Sequence, residues 1–154
     1  MSFLFLACVL PVPDLRRPDS FVVMDGSAPA GTVVRVCSFA DAGPPTAGCD
    51  DVAEANAEGG KLHMPAWTYW PTQLASEPPY WAEVYTACAG EKPVGITFRG
   101  PDWPAKGGDE VHIALDQPPT HVGGAFRDVA DADLAVVATK LCGGSAKKAP
   151  TPER

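Results

Sequence analysis

From Phe21 onward, short apolar runs recur between clusters of Gly, Pro and Asp: Phe21 to Met24, Thr32 to Phe39, Lys61 to Met64, Tyr80 to Cys88, Val94 to Arg99 and Glu110 to Leu115. Runs of this length, broken by residues that suit turns, predict an all-β sandwich. Within Thr32 to Cys37 the alternation sends Val34 and Val36 to a core face and Arg35 to water. Within Glu110 to Leu115 it sends Val111, Ile113 and Leu115 to one face, and His112 with Ala114 to the other. The period then changes. Phe126, Ala130, Leu134, Val137 and Leu141 recur at steps of three and four, Lys140 suits a helix C-terminus, and Gly143-Gly144 supplies a stop. A short helix over Asp128 to Cys142 is the expectation, although Leu134 to Val137 also fits a last strand.

Composition agrees with many turns and short strands. The chain of 154 residues holds 17 Pro and 15 Gly, more than a helical protein tolerates. One domain is the prior for this length. Residues 1–20 read as a signal end and a proline-rich tether, 21–142 as the folded domain and 143–154 as a disordered tail. Charge is acidic, with 19 Asp and Glu against 12 Lys and Arg. No basic block precedes Lys147-Lys148, so nucleic acid is not an expected partner.

Five cysteines, with no Cys-x-x-Cys pair, suit an oxidising compartment better than a reducing one. Met1 to Leu10 is an uncharged apolar run too short to span a membrane. Phe5, Leu6, Ala7 and Cys8 resemble the end of a bacterial lipoprotein signal peptide, in which a small residue precedes the lipidated cysteine. The resemblance implies lipidation of Cys8, a membrane partner and location in the cell envelope. Because export signals run to about 15–30 residues, a start upstream of Met1 is expected. The alternative is a buried N-terminal strand. Setting Cys8 aside leaves Cys37, Cys49, Cys88 and Cys142, which allow three connectivities. The short loop after Cys37 favours Cys37 with Cys49, leaving Cys88 for Cys142.

Gly31-Thr32-Val33-Val34-Arg35-Val36, after the small Gly26-Ser27-Ala28-Pro29-Ala30, is similar to the opening of a carboxypeptidase-regulatory-like, or transthyretin-like, domain. The turn at Asn56-Ala57-Glu58-Gly59 and the later segments to Pro118 continue the likeness, with Ala55-Asn56 where the family usually has Thr-Asp. It implies a transthyretin-like or immunoglobulin-like sandwich with a structural or binding role and no catalysis.

Candidate chemistry is sparse. His63 and His112 alternate with apolar neighbours and point outward, and His121 sits in a Pro-Thr-His-Val-Gly stretch. No metal spacing is present, and the acidic groups Asp50, Asp51, Glu54 and Asp128, Asp131, Asp133 lack the calcium-loop pattern. No nucleophile elbow or phosphate loop stands in the chain, so no catalytic residue, metal or cofactor is expected. The unusual feature is aromatic: Trp67, Tyr69 and Trp70, then Tyr80 and Trp81, around a loop with Pro71, Pro78 and Pro79. Such rings suit a glycan or an envelope protein, while the usual burial of large aromatics in small domains favours a plug at one end of the core. The competing reading is a secreted transthyretin-related hydrolase acting on a small polar substrate through the three histidines.

Overall fold

A computed structural model describes residues 16–17, 20–39, 51–56, 61–64, 67–68, 82–100, 108–122 and 129–144. Among the described residues ten strands and one helix follow in order: β1 Arg16–Arg17, β2 Ser20–Asp25, β3 Val33–Phe39, β4 Asp51–Asn56, β5 Lys61–Met64, β6 Trp67–Thr68, β7 Ala82–Ala89, β8 Lys92–Arg99, β9 Asp109–Ala114, β10 Thr120–Val122 and α1 Asp131–Cys142. The fold is strand-dominated, as the short alternating runs imply. Five strands form one sheet in the order β10-β8-β7-β3-β4, and three form another, β5-β2-β9. Inside the stretch expected to be a tether, β1 pairs antiparallel with β6.

Strand β7 explains the layering. Its residues are buried from Ala82 to Cys88, which for a period-two element means that both faces are covered. Tyr85 and Ala87 join Val34 and Val36 of β3, Val22 of β2, Leu62 and Met64 of β5, and Val111 and Ile113 of β9 in one apolar layer between the sheets. Ala82 and Val84 face the opposite way and join Leu134, Val137, Ala138 and Leu141 of α1. The helix therefore covers the second face of the five-stranded sheet. Its apolar residues fall at steps of three and four, as anticipated, although it begins at Asp131 rather than Asp128.

A register shift between Ala87 and Cys88 in the β7–β8 ladder lets Val94 pack on the inter-sheet layer beside Gly95. Gly95 lies against β9, where a Cβ would come within 2.7 Å of the Ile113 side chain and 3.0 Å of the Ala114 carbonyl. At this seam Thr97 Oγ1 donates to the His112 carbonyl at 2.8 Å, and the Asp116 amide donates to the Val94 carbonyl at 2.8 Å. The outer edge of β9 is thus closed onto β8.

Cys88 and Cys142 form a disulfide spanning 54 residues of sequence, joining β7 to the end of α1. Cys37 is disulfide-bonded as well. Cys49 and Cys8 lie outside the described residues, and with them the expected Cys37–Cys49 pairing. Arg35 corrects the expectation that it faces water. It is directed to the helix side, where Nη1 donates to the Leu141 carbonyl at 2.9 Å and Nη2 meets Glu54 at 3.0 Å. The Leu141 carbonyl also accepts from the Gly144 amide at 3.2 Å, and it lies at the negative end of the helix dipole, where a guanidinium is favoured.

Candidate binding site

At one pole of the two sheets, strand ends bring charged groups into the inter-sheet layer. Glu83 at the start of β7 is paired with Arg99 at the end of β8, and Ser20 at the start of β2 is paired with both Met64 and Asp109. Arg99 Nη2 reaches Asp109 Oδ2 at 2.8 Å, which ties the five-stranded sheet to the three-stranded one. On the same face the fully buried Tyr85 donates its hydroxyl to the Glu83 carboxylate, itself only 8% exposed. Burial disfavours the charge on Arg99, but Tyr85, Glu83 and Asp109 outweigh it and hold the guanidinium pKa above its ordinary value. The guanidinium therefore stays charged, hydrogen-bonded to Asp109 with the Glu83 carboxylate near enough to favour its charge.

The same pole roots the aromatic segments. Met64, Ala82, Arg99 and Asp109 are strand termini, so the segments 65–81 and 101–107 both join the sheets there. Those segments carry Trp67, Trp70, Trp81 and Trp103, all four tryptophans of the chain. Trp67 lies on β6 opposite Arg17. Tyr69, Trp70, Tyr80 and Trp81 lie outside the described residues.

The three histidines do not converge. His63 on β5 and His112 on β9 share the exposed face of the three-stranded sheet, with β2 between them, a separation of roughly 10 Å in strand spacings. His63 stacks on Phe21, with ring centroids 5.4 Å apart. His112 Nδ1 meets Asp25 at 3.1 Å, and its Nε2 lies 3.6 Å from Glu110. Glu110 also pairs with Lys61 at 2.9 Å, and chiefly this hydrogen bond holds its carboxyl below the usual range. His121 lies elsewhere, on β10, bonded to Asp131 at 2.8 Å and packed on Phe98. Among the described residues no three His, Cys, Asp or Glu side chains gather as a metal site.

Reading the sequence for motifs passes over Glu83, Tyr85, Arg99 and Asp109. The available signal is a Glu-x-Tyr pair in a strand otherwise made of small and apolar residues, and an Arg and an Asp bracketing the Gly100 to Gly108 stretch. Comparison with known proteins finds no matching family model, no matching curated protein and no matching solved structure.

Proposed function

We propose that the protein is an exported, lipid-anchored envelope β-sandwich of transthyretin-like type that binds a glycan, without catalysis, through the pole holding Glu83, Arg99 and Asp109. The observation that carries this reading is the convergence of a partly buried charged cluster with the roots of the two stretches that hold all four tryptophans. Sugars offer an apolar ring face and a rim of hydroxyls, which suits aromatic rings beside fixed carboxylate and guanidinium groups. Export is supported by Cys37, Cys88 and Cys142, all disulfide-bonded. An envelope protein is the other occupant that such rings fit. The dispersal of His63, His112 and His121 over two faces argues against a histidine-based hydrolase.

Calorimetry with purified cell-wall polysaccharide tests the binding role. Trp70→Ala is expected to abolish binding with its unfolding temperature nearly unchanged. A wild type that does not bind, or a loss of about 3–5 kcal/mol in stability on substitution, which identifies a core ring, overturns it. For the anchor, protein expressed in its native host is expected to incorporate labelled fatty acid at Cys8, and Cys8→Ser to remain unlabelled. An unlabelled wild type overturns that part.

A further inference from the structure

The contact between α1 and the sheet is not uniform along the helix. Toward its middle, Leu134, Val137 and Ala138 pack on Val84, Ile96 and Phe98, an entirely apolar contact. Under its last turn the sheet is polar. Arg35 and Thr86 are direct partners on β3 and β7, and Cys88 follows two residues after Thr86 on the same face of β7. Two atoms of that pair, Arg35 Nε and Thr86 Oγ1, are fully buried and make no hydrogen bond. A buried donor without a partner loses its hydration and gains nothing in return. Every force in the last turn is therefore mixed: the Arg35 to Leu141 carbonyl bond and the buried Leu141 side chain hold it down, and the two orphaned groups push it toward water. Across this weak turn lies the Cys88–Cys142 bond.

We propose that the disulfide is a latch on the last turn of α1, and that its reduction lifts Thr139–Cys142 from the sheet while the first two turns stay docked. A dithiol supplies the two electrons and two protons. Its thiolate attacks one sulfur, its second thiol resolves the mixed disulfide, and the products are thiols at Cys88 and Cys142 and a cyclic disulfide of the reagent. Lifting the turn hydrates Arg35 Nε and Thr86 Oγ1 and bares the Cys88 thiol on the sheet, ready for exchange with a thiol partner. This device is independent of what the opposite pole binds.

Amide hydrogen exchange tests it. In the full chain with Cys88→Ala and Cys142→Ala, amides of Leu141 to Gly143 are expected to lose about tenfold or more of their protection, with Val137 and Ala138 changed less than about threefold. Adding Thr86→Val removes one orphaned hydroxyl while keeping shape, and is expected to restore most of the lost protection. Cys88→Ser with Cys142→Ser, which leaves the bond of Cys37 intact, provides the same readout should the alanine variant fail to fold. Equal loss along the whole helix, no loss at its end, or no recovery with Thr86→Val overturns the proposal.

Discussion

Arg35 shows how much one side chain's direction depends on a partner far along the chain. Alternation correctly separates it from Val34 and Val36, but alternation alone cannot tell a solvated face from one covered by a helix 106 residues later. Because the guanidinium donates to the Leu141 carbonyl and pairs with Glu54, Arg35→Met is expected to cost about 1–3 kcal/mol in denaturant unfolding. Glu54→Gln is expected to cost less than about 1 kcal/mol, since that carboxylate is 45% exposed and water competes for it. Gly95 makes the complementary case, in which the absence of a side chain is what the fold requires. A methyl group there meets Ile113 at 2.7 Å and the Ala114 backbone oxygen at 3.0 Å, and the backbone cannot step aside as a flexible side chain would. Gly95→Ala is therefore expected to destabilise by about 1–3 kcal/mol, read by the shift in denaturation midpoint at unchanged slope.

At the scale of elements, strands with a strong apolar face were legible and those without one were not. The segments Lys61–Met64 and Val94–Arg99 stand out by their Leu, Met, Val, Ile and Phe, and they form β5 and most of β8. Strand β4, Asp-Val-Ala-Glu-Ala-Asn, reads as an acidic surface stretch because its side chains are small or charged, and it is a strand because β3 supplies the ladder. Thr120–Val122 is likewise held by parallel pairing to β8 rather than by any pattern of its own. The polar pole stayed hidden for a related reason: its residues are spread from Glu83 to Asp109 and meet only through register. Removing its cation leaves the buried Glu83 and the partly exposed Asp109 without compensation. Arg99→Met is expected to cost about 3 kcal/mol or more by equilibrium unfolding, with Arg99→Lys recovering part of it. On the exposed face, the Glu110–Lys61 pair ties β9 to β5 across β2. Since the folded pKa of Glu110 is depressed, its contribution is present above the unfolded carboxyl value of about 4.3 and is lost as pH falls through the folded value. The stability difference between wild type and Glu110→Gln should therefore shrink on acidification through that window, and Lys61→Ala should remove most of this pH dependence.

The molecule as a whole is three layers held at their middle by β7, with the three-stranded sheet on one side and the helix on the other. Beside the polar ties of Arg99 with Asp109 and of Arg35 with Leu141, two kinds of force join the layers. Apolar contact holds both interfaces, and it weakens gradually as groups are trimmed. The Cys88–Cys142 bond acts differently, because it restricts the unfolded chain as well as the folded one. A closed ring of 54 residues removes enough chain entropy to be worth about 4 kcal/mol in the loop-closure model. That is a large share of the roughly 5–15 kcal/mol by which a domain of ordinary stability stays folded. The global effect is separable from the local one at the last turn of α1, since the first acts on the unfolded ensemble and the second on the native state. Cys88→Ala with Cys142→Ala is expected to lower the unfolding free energy by about 4 kcal/mol. Adding Thr86→Val should return only the part that came from the orphaned hydroxyl, on the order of 1–2 kcal/mol. If guanidinium titrations show a loss below about 1 kcal/mol, the unfolded chain is already compact around this pair, and the clamp acts on the native helix alone.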